Sequence, residues 1–185
     1  MLILVFGGSG SGKSEYAEKL ALEEEKDLRW YLATMHNDGS EEGLARIRKH
    51  REKRKNKGFQ TLEWDRDLPG HLDSWKEWET PSVILLEDLG NLVANEMFSS
   101  GGALKDAEPE KEEDKIREWV TEPIDSLHQQ GHTVIVVCDI LDEDGPLVGK
   151  ELNRYDGWMA AAVRDLAERA DQLVEVIAGI PNRIR

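Results

Sequence analysis

Near the amino terminus, the segment Gly7-Gly8-Ser9-Gly10-Ser11-Gly12-Lys13-Ser14 has the residue types and spacing of a phosphate cradle. It fits G-x-x-x-x-G-K-[ST], the P-loop pattern. Glycines let such a loop curl until its backbone N–H groups point inward at phosphate oxygens. A helix that begins directly after the loop adds its positive end. Lys13 has the reach for β- and γ-phosphates, and the Ser14 hydroxyl is a ligand for Mg²⁺. A flexible Gly/Ser turn would share this composition. It would not need the apolar strand before it and the helix after it, and both are here.

Two other groups of residues carry chemistry. Glu87-Asp88 closes the apolar run Val83-Ile84-Leu85-Leu86. A P-loop is usually accompanied by an acidic residue at the end of a neighbouring strand, and in a parallel sheet that end faces the same crevice. Glu87 or Asp88 would there hold a metal-bound water or recognise a base, which makes Asp88 a candidate Mg²⁺ contact beside Ser14. The competing reading is a helix cap after a strand.

The other group is Arg46-Ile47-Arg48-Lys49-His50. It heads a stretch in which Arg46, Arg48, Lys49, Arg51, Lys53, Arg54, Lys55 and Lys57 crowd together. Taken by themselves, these cations make either a solvated helix face or a local anion site. His50 stands among them on a helix that starts near the carboxyl end of the second strand, facing the crevice. Nearby cations favour neutral imidazole, the nucleophilic form. His36, His71, His128 and His132 lack that context.

The elements that must position these groups read as alternating strands and helices. Apolar, strand-length runs occur at Leu2–Phe6, Arg29–Thr34, Ser82–Leu86, Thr133–Cys138 and Gln172–Ala178, and Phe59–Trp64 looks extended. Helical patterns fill 13–25, 40–56, 68–78, 89–98, 110–130 and 151–170, with Ser40-Glu41-Glu42 as a helix start. Segments 99–109 and 139–150 read as loops, the second acidic. The expected fold is α/β: a P-loop NTPase-type three-layer sandwich with a mostly parallel central sheet, one domain over residues 1–185.

Bulk properties narrow the partners. The net charge is −14, which argues against general nucleic-acid binding. Apolar residues are 39% and charged residues 34%, a soluble globular composition. No apolar run approaches the roughly 20 residues of a membrane helix, and the amino terminus has no signal-peptide pattern. Cys138 is the only cysteine, so an internal disulfide and a multi-cysteine zinc site are excluded. A reducing cytoplasm is the expected location.

Taken in order, the motifs resemble the bifunctional adenosylcobinamide kinase / adenosylcobinamide-phosphate guanylyltransferases of cobalamin biosynthesis. The resemblance rests on Gly7, Gly8, Ser11, Gly12, Lys13 and Ser14, then Tyr31, Ala33 and Thr34, then Arg46, Ile47, His50 and Arg54. Phe59, Thr61 and Glu63 follow, with Phe59 where the family usually has Trp, and then Leu85, Leu86 and Glu87, with Asn95 in the next helix. It covers roughly residues 1–98. The P-loop is common to many families; the ordered set with Arg-Ile-x-x-His is much more specific.

The resemblance implies two reactions and their substrates. A nucleoside triphosphate, ATP or GTP, phosphorylates the aminopropanol hydroxyl of adenosylcobinamide. GTP then guanylylates the family histidine, and the GMP passes to adenosylcobinamide phosphate. By motif match, His50 is the nucleophile, acting with Lys13. Ala33, Thr34, Met35, Arg51, Glu52, Lys53, Arg54, Glu63 and Glu87 match segments that line the family's nucleotide site. Glu87 would accept from guanine N1–H and N2–H₂. The resemblance also implies Mg²⁺ and a homo-oligomer, a trimer. In the carboxyl-terminal half, Cys138-Asp139-Ile140-Leu141-Asp142 stands where the family has Asn-Glu-x-Gly-x-Gly, and Arg154, Asp156 and Gly157 only echo a second motif. Two other readings fit the residues: a small-molecule P-loop kinase whose His50 cluster only binds phosphate, and a nucleotide-binding module without catalysis.

Overall fold

The computed structural model describes residues 1–37, 39–55, 57–74, 80–107, 112–139 and 150–185, apart from the side chains of Arg46, Lys53, Glu112 and Lys150. In chain order the elements are β1 (Leu2–Gly7), α1 (Lys13–Glu23), β2 (Arg29–Ala33), α2 (Glu41–Arg54), β3 (Gln60–Glu63), α3 (Leu68–Ser74), β4 (Val83–Glu87) and α4 (Leu89–Phe98). There follow α5 (Glu112–Ile116), a π-helical turn (Arg117–Thr121), α6 (Glu122–Gln129), β5 (Thr133–Asp139), α7 (Lys150–Arg169), β6 (Gln172–Ile177) and β7 (Ile180–Arg183).

The strands form one seven-stranded sheet in the order β3-β2-β4-β5-β1-β6-β7. Every pairing is parallel except β6 with β7. The central strands are apolar without alternation because both faces are covered. One face packs Leu2, Leu4, Leu86, Val134 and Val136 against side chains of α4 to α7 such as Leu92, Ile124, Trp158 and Leu166. The other packs Ile3, Val5, Leu85, Ile135 and Val137 against Ala17 and Ala21 of α1, whose small side chains bring that helix close to the sheet. This is the expected α/β arrangement.

Several expected elements differ in detail. The long helix expected over 110–130 is interrupted by the π-helical turn, with Pro123 in the first turn of α6. Proline has no N–H to return to the carbonyl four residues back, and a widened turn accommodates that loss. Helix α2 stops at Arg54, where the Lys55 N–H closes on Arg51 and Glu52. Helix α3 runs to Ser74; the rest of its expected span, 75–78, lies outside the described residues, as does most of the acidic 139–150 loop. The antiparallel β7 was not expected. It follows β6 through Ala178 and Gly179, whose φ values of 49° and 79° suit a tight hairpin turn. Ser40 does start α2, its Oγ accepting from the Gly43 N–H at 3.0 Å.

Candidate active site

The loop between β1 and α1 sits at the carboxyl end of β1, an interior strand between β5 and β6. Gly12 has φ 89° and caps α1 with no side-chain bond, so the first-turn N–H groups face the loop's concavity. A Cβ at Gly7 would stand 2.5 Å from the Val176 carbonyl, so only glycine fits between β1 and β6 there. The Gly179 N–H donates to the Ser11 carbonyl at 2.7 Å, tying the β6–β7 turn to the loop. Lys13 is buried. Its ammonium donates to the Gly8 carbonyl at 3.3 Å and pairs with the Asp139 carboxylate at 2.5 Å.

Asp139 was not among the expected site residues. Strand β4 is not the neighbour of β1, because β5 lies between them. The carboxylate that meets Lys13 is therefore Asp139 at the end of β5. Glu87 and Asp88 stand one strand further along, still at the carboxyl ends of the parallel strands.

There two cavities adjoin, of about 200 and 290 Å³. Ala33, Met35, Glu63 and Asp88 line the first, Ser14 lines the second, and His50, Arg54 and Glu87 line both. Ile47, His50 and Arg54 share one face of α2 by their three- and four-residue spacing, which aims them together at the cavities. The P-loop serine and the candidate nucleophile therefore open onto one space.

The wall between the cavities is tightly bonded. The Tyr31 hydroxyl donates to Glu87 Oε2 at 2.7 Å. The Arg54 guanidinium lies over the Tyr31 ring, 3.7 Å from its centroid, and Arg54 is only 7% exposed. Among the described residues, its buried Nε has no hydrogen-bond partner. Burial foremost, and then the Glu87 carboxylate, hold the Tyr31 phenol far above its ordinary pKa, so it is a standing donor.

Asp88 caps α4, accepting from the Asn91 N–H at 2.6 Å and from Asn91 Nδ2 at 2.9 Å. Capping does not keep it from the cavity, which it lines. Burial pushes its carboxyl up to about 6; the Asn91 N–H opposes this, the Asp139 and Glu87 carboxylates add to it, and Lys13 lowers it.

Other expected site residues are placed differently. Thr34 is fully buried and donates from Oγ1 to the Asp88 carbonyl at 2.8 Å, a bond that holds the β4 end rather than lining either cavity. Arg51 is exposed and forks onto Glu63 at the rim. Glu52 pairs with Lys55 on the exposed side of α2 and lines neither cavity. Ser9 and Gly10 are exposed at the loop tip, as is Gly8. The side chain of Lys53 lies outside the described residues. Asn95 donates to the Thr34 and Asp65 carbonyls at 2.8 and 2.9 Å, tying together the chain after β2 and β3.

Tyr31, Asn37, Ile47, Asp65 and Asn91 also line the first cavity, and Asp139 pairs with Lys13; none of these was among the expected nucleotide contacts. Ile47 had a signal in its helical spacing to His50. Asn37 and Asp65 had none, since loop convergence does not show in periodicity. Of the other histidines, His36 pairs with Asp65 of the first cavity's lining, while His71 stacks on Trp64, His128 meets Asp125 and Asp171, and His132 meets Ser82.

A phosphate-binding loop at the carboxyl end of a parallel sheet, with a cavity shared by its serine and a histidine, defines a P-loop nucleotide-binding protein. Residues 3–184 match the family described as cobinamide kinase / cobinamide phosphate guanyltransferase, and the chain belongs to that family of transferases. It is 29% identical over 184 residues to the bifunctional adenosylcobalamin biosynthesis protein CobU of Escherichia coli (strain K12), covering 96% of this chain and 92% of the relative. Among solved structures, the flagellar accessory protein FlaH of Methanocaldococcus jannaschii is similar in fold, with a TM-score of 0.53 at 14% identity over 100% of this chain and 77% of that one. A KaiC-like protein of Pyrococcus horikoshii OT3 matches with a TM-score of 0.46 at 14% identity, over 94% and 69% of the two chains. No helix among the described residues is long and apolar enough to cross a membrane.

Proposed function

We propose that the chain phosphorylates adenosylcobinamide and then transfers GMP from GTP to the product, with His50 as the carrier. The observation that carries this reading is the cavity bounded by both Ser14 and His50.

In the first reaction, the substrate hydroxyl oxygen attacks the γ-phosphorus of ATP or GTP. The bond from that phosphorus to the bridging oxygen breaks, the nucleoside diphosphate leaves, and the hydroxyl proton passes to solvent. Lys13 exchanges Asp139 for the phosphates and offsets the charge developing on their oxygens. In the second, an imidazole nitrogen of His50 attacks the α-phosphorus of GTP. A P–N bond forms, pyrophosphate leaves, and the ring N–H proton is released. A phosphate oxygen of adenosylcobinamide phosphate then attacks that phosphorus. The P–N bond breaks, the ring takes back a proton from solvent, and the imidazole is restored. Arg54, buried and beside His50, is placed to receive the α-phosphate, and Glu87 to accept from the guanine edge.

The protein oxygens fit Mg²⁺. Ser14 and Asp88 are hard donors, and no group of three His, Cys, Asp or Glu able to hold a metal occurs among the described residues. That suits an ion carried mainly by nucleotide phosphates and waters. When bound, Mg²⁺ neutralises phosphate charge.

The test is intact mass after incubation with GTP and Mg²⁺. A gain of one GMP is expected. Turnover without a mass gain would leave a kinase in which the α2 cations only bind phosphate, and binding without turnover a module without catalysis.

A further inference from the structure

Tyr31 stands between the two charged groups that both cavities share. Its backbone pairs with Leu85, and Glu87 lies two residues beyond on the same strand and face, within reach of the phenol. Its hydroxyl fixes one carboxylate oxygen of Glu87, and its ring carries the Arg54 guanidinium. Phe59 meets that ring edge-on, with centroids 6.0 Å apart at 79°. The ring is 2% exposed, so packing holds it in one orientation. One side chain thus sets the position of an acceptor and of a cation that line the same space.

A carboxylate reads a base only if its oxygens are held in one orientation. An Arg that is buried without a carboxylate partner is costly unless an aromatic face or an incoming anion receives it. Tyr31 supplies the first condition through its hydroxyl and part of the second through its ring. We infer that Tyr31 is a positioning residue with two separable roles: its hydroxyl sets nucleotide-base discrimination through Glu87, and its ring sets phosphate affinity through Arg54. This rests on the proposed placement of base and phosphate in the adjoining cavities. It adds a determinant of specificity that performs no chemistry itself.

The test uses the full chain and two variants. Tyr31→Phe deletes the hydroxyl and keeps the platform; Tyr31→Leu deletes both. Calorimetry with Mg²⁺ gives the affinities of GTP and ATP for each protein. Tyr31→Phe is expected to lower GTP affinity about tenfold more than ATP affinity, the scale of one hydrogen bond to a charged group. Tyr31→Leu is expected to weaken both nucleotides further. A Tyr31→Phe protein with the wild-type GTP-to-ATP ratio overturns the inference, as does a wild-type protein that binds both equally. GMP attachment to the wild type, read in the same samples, reports on the carrier reading separately. A changed ratio without attachment would sink that reading and leave the Tyr31 assignment standing; attachment with an unchanged ratio would do the reverse.

Discussion

The Lys13 ammonium and the Asp139 carboxylate lie 2.5 Å apart, so the lysine that a triphosphate needs is already engaged by the end of β5. Asp139 is about half exposed, which limits the worth of such a pair to about 1 kcal/mol or less. Binding a triphosphate must break it. Asp139→Asn is therefore expected to tighten metal-free GTP binding by up to about fivefold. Calorimetry in the presence of a chelator checks this, and weaker binding would show that Asp139 positions Lys13 rather than competing for it. Lys13→Ala is expected to lose most turnover, by about a hundredfold or more, with thermal unfolding little changed.

Glu87 lines both cavities and accepts from Tyr31. Glu87→Gln puts a donor where a face of two donors must be met. GTP affinity is expected to fall by about tenfold while ATP falls less. Competition binding with the two nucleotides reads the difference; equal losses would move Glu87 from base reading to metal or phosphate chemistry.

Asp88 gives the pH dependence. Its folded carboxyl, at about 6, holds its proton above the ordinary carboxylate range, so the folded chain binds more protons than the unfolded chain between about pH 4 and 6. Its contribution to stability is therefore present at low pH and falls as pH rises through that window, by on the order of 3 kcal/mol. Asp88→Asn keeps a capping oxygen for the Asn91 N–H and removes the titration. Urea unfolding from pH 4.5 to 7.5 is expected to show a flatter profile for the variant and a gain over wild type at the alkaline end. Identical slopes would mean that Asp88 ionises in the folded chain as readily as in water.

The parts of this site that the sequence revealed are those governed by short-range rules. Gly7 to Ser14 was legible because a phosphate loop is continuous in sequence, and β1, β4 and β5 because strands buried on both faces are apolar throughout. His50 stood out through its spacing within a cationic helix. Strand order was not legible. That β5 intervenes between β1 and β4 is set by how helices pack across the sheet, so Glu87 and Asp88 end a strand that is not next to β1, and the Asp139 pairing with Lys13 had no signal. The Tyr31 link to Glu87 and Arg54 joins three distant segments, and no local pattern encodes that. The β6–β7 turn was missed because Ala178-Gly179 is a weaker hairpin signal than Asn-Gly.

The central claim is that His50 carries GMP, and its most direct measurement is intact mass with peptide mapping after GTP and Mg²⁺, for wild type and His50→Asn. Asparagine keeps polarity and removes the nucleophile, and Ser14 and Lys13 remain to bind the triphosphate. The wild type is expected to gain one GMP in an acid-labile, base-stable bond at His50. The variant is expected to gain none and still to bind GTP, with kinase turnover reduced less than nucleotidyl transfer. GMP retained by His50→Asn, or mapped to any other residue, would contradict the account.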